Sequence, residues 1–424
     1  MHGGMKTPIL TGIACVALTS FTNAQEAKAF EVAPVLQASQ ILPAELLQGP
    51  HHRVREMAPS DGYLTHYTID SDFGVFECVG RRQLEERVQE LGAISKLAAV
   101  SKSDLFADGL KKSVEAPIDA VKNIVDDPQE AIKQAPKTVG HFFSKVGDSI
   151  GNAARKVGRK VDESGDAETS EALADTGRGI GEAAKSVAGF DLAKLDTARQ
   201  LGVDPYSDNQ RLQDEMEKVT WAFFAGGLPL RIGAAAASGG ASVALTATKA
   251  VGLPEDIYDT TPGELNLRDR EALVAMGVSE TVINEVLLNP AMTISLRHSI
   301  VESLKKLPAG PAKAEVIGIA QGLAEVRQVE FLNQALEELI KRHRLAPYQE
   351  LKVFGRLPAG ITADGVMEVP APVDEVFWTA QVAEFAGRQD LGAGKRRLLL
   401  GGSLSPAASA GFQSTGWEVV AVPR

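Results

Sequence analysis

The chain has 424 residues, of which 44% are hydrophobic, 23% charged and 5% aromatic. This composition excludes a wholly disordered chain, a collagen-like fibre and a multi-span transporter, and the length suffices for two to four domains with hydrophobic cores. The formal net charge is −11, so we expect no nucleic acid to bind over the general surface.

Residues 1–24 have the layout of a secretory signal peptide. Lys6 precedes an uncharged run from Thr7 to Phe21, and the small residue Ala24 stands at the predicted cleavage site. The run is shorter than the roughly 20 residues of a spanning helix, although an uncleaved anchor and lipidation at Cys15 stay open as alternatives. We therefore predict an exported protein, located in the periplasm or associated with the cell envelope of a bacterium.

Residues 25–112 are predicted to form a small α+β module. Alternating Tyr, Thr, Phe and Val residues at Tyr63–Ile69 and Val75–Val79 indicate a β-hairpin. A helix is predicted from Arg81 to about Ala98, with leucine and valine near one face. The charged residues expected mostly in solvent on this helix are Glu85, Glu86, Arg87 and Glu90.

The sequence offers few groups for metal or covalent chemistry. Loss of the signal peptide would leave Cys78 as the only thiol, so no intrachain disulfide is expected. If Asp70–Gly74 forms a five-residue loop, His66 faces Cys78, a pair that could be reactive, although a buried structural cysteine is commoner. His298 and His343 have charged neighbours and are expected at or near the surface. Zinc-site and phosphate-loop motifs are missing from the sequence, so no cofactor and no metal are predicted.

Residues 113–200 are predicted to be an amphipathic helical segment punctuated by proline and glycine. Apolar residues recur every three or four positions between residues 139 and 161, and glycines beside them form a groove without side chains. A similar pattern begins again at Gly177, so two helices could pack groove to groove. The residues predicted to contact a membrane or a partner are Val139, Gly140, Phe142, Phe143, Lys145, Val146, Gly147, Ile150, Gly151, Arg155, Lys156, Gly158 and Arg159.

The charges of this segment allow two interpretations. A basic block over residues 133–160 precedes an acidic block over residues 162–175, and the two could neutralise each other across a hairpin. Alternatively, the basic helix lies on an anionic membrane surface with Phe142 and Phe143 inserted. Nucleic acid is not expected as a partner, because no aromatic residues interleave with the basic ones.

A second glycine seam lies in the Ala/Gly-rich tract from Val219 to Thr248. Arg231 is its one charged residue, and Gly226, Gly233 and Gly240 recur every seven residues, so these glycines are also predicted contact positions. The tract could be a buried hairpin, a hairpin at a membrane interface, or a true span, which its low hydrophobicity disfavours.

Residues 201–347 are predicted to be a helical domain. Predicted helices cover Asn209–Ala225, a segment from Thr261-Pro262, Ser279–Leu288 and Ile294–Leu307. A long periodic segment follows from Ala312 to Leu345, with a possible kink at Gly322.

Residues 348–424 are predicted to be an α/β lobe. Its predicted strands are Glu350–Gly355, Val366–Val369, Arg396–Leu400 and Trp417–Val422, and its predicted helices are Glu375–Ala386 and Ser405–Phe412. The turn containing Gly401, Gly402, Ser403 and Ser405 precedes a helix and could bind an anionic ligand, the alternative being a simple tight turn.

The predicted fold class is α+β and predominantly α-helical. It comprises a small N-terminal β-hairpin/helix module, a central helical domain and a C-terminal βαβ-like lobe. We predict a non-enzymatic envelope protein that associates with an anionic membrane surface or a protein partner through its glycine-grooved helices. Two alternatives are a periplasmic enzyme or small-ligand-binding protein using the C-terminal lobe, and a structural helical scaffold.

Overall fold

The computed structural model describes residues 30–115, 189–233, 252–392 and 394–422. Over these residues the fold is mixed α+β and mostly helical, which confirms the class predicted from the sequence. Buried apolar side chains gather under the N-terminal sheet, among the helices after residue 260, and on the C-terminal sheet.

The N-terminal module has two small antiparallel sheets and a long helix. Its elements are β1 (Val35–Gln37), α1 (Ala38–Ile41), α2 (Ala44–Leu47), β2 (Gln48–Gly49), β3 (His52–Val54), β4 (Met57–Pro59), β5 (His66–Ser71), β6 (Gly74–Val79) and α3 (Arg81–Val100). β1 pairs with β4, and the other strands follow the order β2-β3-β5-β6. The predicted hairpin and helix correspond to β5, β6 and α3.

The hairpin turns more tightly than its sequence suggested. Ser71 pairs with Gly74, which leaves two residues in the turn instead of five. The register places Tyr67 opposite Cys78, so the expected pairing of His66 with Cys78 is wrong. Cys78 is buried, and burial raises its pKa to about 12, as in an unreactive structural thiol.

A group of helices covers one face of α3. These are α4 (Asp104–Glu115), α5 (189–201) and α6 (Gln210–Ala225), and both α3 and α4 pack against α6. Arg87 and Glu90 of α3 are each only 7% exposed, so their predicted exposure is wrong. The Arg87 guanidinium donates to Glu90 at 2.6 Å and to Asp208, just before α6, at 2.9 Å. The carboxylates offset the cost of burying this charge.

A second group of helices follows in the chain. After a 3₁₀ turn at Glu255–Tyr258 come α7 (Pro262–Ala275), α8 (Glu280–Leu288), α9 (Ile294–Lys306), α10 (Ala312–Gln321) and α11 (Val326–Leu345). The hydroxyl groups of Thr261, Ser279 and Thr293 cap α7, α8 and α9. The predicted long segment from Ala312 to Leu345 is divided into two helices after Gln321, at the glycine expected to kink it.

The C-terminal lobe is built on a mixed five-stranded sheet. Its elements are β7 (Glu350–Phe354), β8 (Leu357–Ile361), β9 (Met367–Ala371), β10 (Glu375–Val376), α12 (Ala380–Ala386), β11 (Arg396–Leu400), β12 (Ser403–Leu404), α13 (Pro406–Ser414) and β13 (Trp417–Ala421). The strand order is β13-β11-β9-β8-β7, and β9, β11 and β13 are parallel. The parallel strands therefore end together at one edge of the sheet.

Two details of the lobe differ from the prediction. The helix predicted from Glu375 begins only at Ala380, because Glu375 and Val376 pair with β12 and Thr379 caps the helix. The prediction also missed β8, whose proline and glycine are unusual within a strand. Gly360 is needed there because a Cβ atom would lie 2.5 Å from the ring of Tyr348.

Candidate functional site

A cleft of about 910 Å³ opens between the first turns of α3, one side of α11 and the carboxyl ends of β9 and β11. In open sheets, ligands commonly bind beyond the carboxyl ends of parallel strands. The volume also falls within the range of known small-molecule sites. We refer to this feature as the cleft, and it is the candidate functional site in the described part of the chain.

Much of the wall of the cleft is apolar. α11 contributes Phe331, β8 contributes Leu357, and α12 contributes Val382 and Phe385. These side chains also pack on or within the core of the C-terminal lobe, which holds them in place. The cleft can therefore cover the apolar body of a small molecule.

Arg82 joins the two sides of the cleft. Its guanidinium donates to the two carboxylate oxygens of Glu337 at 2.6 and 3.1 Å and to Glu86 at 3.2 Å. Burial alone would lower the pKa of Arg82, but these two carboxylates outweigh burial and raise it. Because the protein's own carboxylates already surround this cation, Arg82 is poorly placed to bind an anionic ligand.

Glu338 places a buried carboxyl group at the cleft. The residue is 8% exposed, and its Oε2 atom has no hydrogen-bond partner among the described residues. Burial raises the pKa of Glu338 to about 7, although Lys341 and the backbone of Ala371 act in the opposite direction. Near neutral pH this group can therefore either donate or accept a proton.

Glycine at the end of β11 makes room for this carboxyl group. A Cβ atom on Gly401 would lie 2.7 Å from Glu338 Oε1 and 3.4 Å from the carbonyl oxygen of Ala371. Any larger residue at this position would press on the carboxyl group. The backbone of β9 and β11 thus fixes the space in which Glu338 lies.

Two further carboxyl groups lie where the cleft meets a smaller cavity of about 70 Å³. Glu330 accepts a hydrogen bond from Gln83 Nε2 at 3.1 Å, and burial together with the nearby charge of Glu86 raises its pKa to about 8. Burial also raises the pKa of Glu86 to about 7, despite the attraction of Arg82. Both carboxyl groups therefore ionise less readily than an ordinary glutamate.

Asp374 connects the C-terminal lobe to the N-terminal module beside the cleft. Its carboxylate accepts from the backbone N–H of Thr65 and that of Arg81, both at 3.0 Å. α3 begins after Gly80, which has no side chain to cap the helix. Asp374 thus supplies the missing acceptor and places a negative charge at the positive end of α3.

Most residues of the predicted glycine-grooved surface lie outside the described residues. This applies to the positions from Val139 to Arg159 and to Gly240. Gly233 is the last residue described before the gap at 234–251 and is partly exposed.

Gly226 lies where α4 and α6 cross. A Cβ atom there would lie 2.6 Å from the carbonyl oxygen and 2.8 Å from the Cα atom of Gly109. In the opposite direction, a Cβ atom on Gly109 would lie 2.7 Å from the carbonyl oxygen of Ala222. The two helix backbones are therefore in direct contact at this crossing.

The turn at Gly401–Ser405 packs against the protein's own backbone. A Cβ atom on Gly402 would lie 2.0 Å from the carbonyl oxygen of Asp374, and Ser403 N–H donates to that oxygen at 3.0 Å. Within the turn, Gly401 lines the cleft while Gly402, Ser403 and Ser405 do not.

The N-terminus of α13 next to this turn is occupied by a carboxylate of the same chain. Ser405 Oγ donates to Glu31 at 2.6 Å and accepts from Ala408 N–H at 3.0 Å. The backbone N–H of Glu31 also donates to the carbonyl oxygen of Trp378 at 2.9 Å. The group bound where an anionic ligand was predicted is thus the side chain of Glu31.

The sequence analysis did not single out Glu338. Its helix buries Leu332, Ala335, Leu336 and Leu339, so Glu338 stands within the apolar stripe rather than on a charged face. An acidic residue inside such a stripe is the signal that could have identified it. Glu86 was noted only as a solvated residue, and its side chain is 37% exposed, but the sequence could not show that it lies near Glu330 of α11.

Comparisons with known proteins identify no relative: no family model, no curated protein and no solved structure matches the chain. Among the described helices, none is sufficiently long and apolar to cross a membrane. The described residues also contain no cluster of three or more histidine, cysteine, aspartate or glutamate residues suited to a metal ion. The geometry of the cleft is therefore the main guide to function.

Proposed function

We propose that this protein binds a small amphipathic molecule in the cleft. The observation that carries the proposal is the buried carboxyl group of Glu338 beside a cleft of ligand size, since its Oε2 atom has no hydrogen-bond partner in the part of the chain that the structure describes. A buried polar atom without a partner costs about 1–3 kcal/mol, and such atoms are uncommon in folded proteins. A ligand that donates a hydrogen bond would remove this cost.

The arrangement of the cleft favours a ligand with one polar and one apolar part. Phe331 and Phe385 offer apolar contact, while Glu338 accepts a hydrogen bond at the end of β9 and β11. Residues of the N-terminal module, including Arg82, form the opposite side. Binding therefore requires the whole chain, since the C-terminal lobe alone would supply only part of the wall.

The proposal is tested with a variant that fills the cleft from an exposed position. Gln381 lies on the exposed side of α12 and lines the cleft, so Gln381→Trp should narrow the cleft without disturbing a core. We expect thermal-shift screening with amphipathic small molecules to identify ligands that raise the melting temperature of the wild-type chain. Gln381→Trp should abolish these shifts.

Glu384→Trp is the matched control, because Glu384 is exposed on the same helix but does not line the cleft. It should retain the shifts. Ligands that stabilise both tryptophan variants as well as the wild type would place binding elsewhere. A screen without any stabilising ligand would contradict a binding function for the cleft.

The second candidate function is attachment to an anionic membrane surface or a protein partner through residues 139–159. One described feature supports it. Gly109 of α4 contacts Gly226, and a Cβ atom on Gly189, at the start of α5, would lie 3.3 Å from the ring of Phe224. Gly109 and Gly189, which precede and follow residues 116–188 in the chain, therefore both lie near the C-terminal end of α6.

This candidate is tested by vesicle flotation. We expect the full chain to float with vesicles containing phosphatidylglycerol but not with pure phosphatidylcholine, because the basic residues attract anionic headgroups. Charge reversal at Lys145, Arg155, Lys156 and Arg159 should abolish flotation. Reversal of the exposed cations Lys305, Lys306, Arg344 and Lys352 should leave it intact. Failure of the wild type to float with either vesicle would contradict membrane attachment.

A further inference from the structure

The charges of the cleft are unequally satisfied. The cations Arg81, Arg82 and Arg327 form ion pairs with Glu85, with Glu337 and Glu86, and with Glu325. Arg356 also lines the cleft, but it is exposed to solvent and forms no ion pair with the described residues. In contrast to the three paired cations, neither Glu338 nor Glu330 has a cation within salt-bridge distance in the described part of the chain. In the described structure, Glu338 and Glu330 thus lack the ion-pair partners that Arg81, Arg82 and Arg327 already have.

The remaining cation near Glu338 does not fill this role. Lys341 lies one helical turn further along α11 and is exposed to solvent. It attracts the Glu338 carboxylate electrostatically but forms no salt bridge with it in the described structure. Its long side chain can extend into water, which leaves the space beside Glu338 for another positive group.

We infer that the ligand of the cleft is an amphipathic cation, a protonated amine or guanidinium attached to an apolar body, whose charged group pairs with Glu338. This inference rests on the proposed function. A cation supplies an N–H donor, which Oε2 does not receive from the described residues, and it also compensates the buried charge. The phenylalanines of α11 and α12 cover the apolar body.

Other ligand classes fit the same site less well. An anion beside Glu338 would be repelled by Glu337, and Arg82 is already engaged by Glu337 and Glu86. A neutral alcohol could donate one hydrogen bond but would leave the carboxylate charge uncompensated. Comparing the affinities of the cleft for a cation, an anion and a neutral alcohol therefore measures how much the ligand's charge contributes to binding.

Binding of a cation should be coupled to proton release. The charged groups facing Glu338 are Arg82 from α3 and both Glu337 and Lys341 from its own helix, while β9 contributes the backbone of Ala371. With a pKa of about 7, Glu338 is partly protonated at neutral pH, and only its ionised form pairs with a cation. The affinity should therefore rise as the pH increases through about 7 and then level off.

The inference is tested by isothermal titration calorimetry on the full chain with three probes that share one apolar body: 4-phenylbutylamine, 4-phenylbutanol and 4-phenylbutyrate. We expect the amine to bind most tightly of the three. Near pH 7 its binding enthalpy should also vary with the ionisation enthalpy of the buffer, because the buffer takes up the released proton. Glu338→Gln should lower the affinity for the amine by about 10- to 100-fold and remove the pH dependence of that affinity. Glu384→Gln, an exposed change outside the cleft, should do neither.

A second variant keeps the test independent of any effect of Glu338→Gln on folding. Lys341→Gln removes an exposed cation near the bound amine, so amine binding should tighten by about 2- to 5-fold when measured at a pH well above 7, where Glu338 is ionised with or without Lys341. Unchanged or weaker amine binding by this variant would contradict a cation bound at Glu338.

The probes also separate this inference from the proposed function. If the alcohol binds as tightly as the amine, or the carboxylate binds more tightly than the amine, the ligand is not a cation. The cleft would still be the ligand site if Gln381→Trp abolishes that binding. Amine binding that survives Gln381→Trp would show that the cleft is not the site. Absence of binding by all three probes would overturn the cationic class, and the ligand screen then decides the proposed function separately.

Discussion

His298 is a buried residue of α9, only 1% exposed, although its charged neighbours in the sequence suggested the surface. Nδ1 lies 2.6 Å from Asp269 and Nε2 lies 3.1 Å from Asp256. Asp269 also accepts from Arg297 Nε at 2.9 Å. The two partners of His298 lie 29 and 42 residues away in the chain, so local sequence could not reveal its environment.

We expect His298 to make the stability of the protein depend on pH. Burial alone would lower its pKa, but Asp269 and Asp256 outweigh burial and raise it above its ordinary value of 6.5. The contribution of protonated His298 to the free energy of unfolding should therefore be fully present below about pH 6.5. It should be lost as the pH rises through the higher pKa of the folded state. Urea unfolding at several pH values measures this decline.

His298→Asn should remove that pH-dependent contribution and lower the free energy of unfolding by about 3 kcal/mol at pH 6, because two charged hydrogen bonds are weakened. His66→Asn is the control, since His66 is about one-third exposed and lies 3.4 Å from Asp61. It should have little effect. The same pH slope in the wild type and His298→Asn would contradict this role.

At the level of elements, local signals predicted most helices of the described chain. Asn209, Thr261, Ser279 and Ser405 each stand at a predicted helix start, and Thr293 immediately precedes one. Each of the five caps its helix through a side-chain oxygen. The signals failed where pairing is non-local. β8 and the short strand at Glu375 exist because neighbouring strands supply hydrogen bonds, which the periodicity of one segment does not show.

The crossing of α4 and α6 provides a test of close helix packing. We expect Gly109→Ala to lower the free energy of unfolding by about 2 kcal/mol, because the new methyl group would meet the backbone of Ala222 at 2.7 Å. Gly92→Ala is the matched change inside α3, where a Cβ atom meets nothing within 4 Å. Gly92→Ala should raise the free energy of unfolding by about 0.5–1 kcal/mol. If urea unfolding shows that both variants change the free energy of unfolding in the same direction, the close packing at Gly109 would be contradicted.

At the level of the whole molecule, the cleft joins segments that are far apart in the chain. Arg82 and Glu337 are separated by 255 residues, and Asp374 accepts from Arg81 across 293 residues. The sequence predicted α3, α11 and the strands β9 and β11 as separate elements, but not that they enclose a common space. Apart from Glu338, whose place within an apolar stripe is visible in the sequence, the acidic residues of the cleft could therefore be recognised only after assembly.

The contact between Glu31 and Ser405 spans 374 residues. During synthesis, Glu31 leaves the ribosome long before the hydroxyl group of Ser405, which donates to it at the start of α13, has been made. The N-terminal segment can therefore reach its final position only after nearly the entire polypeptide has been translated. A chain terminated shortly before Ser405 would keep its early helices but leave this segment without its anchoring hydroxyl group.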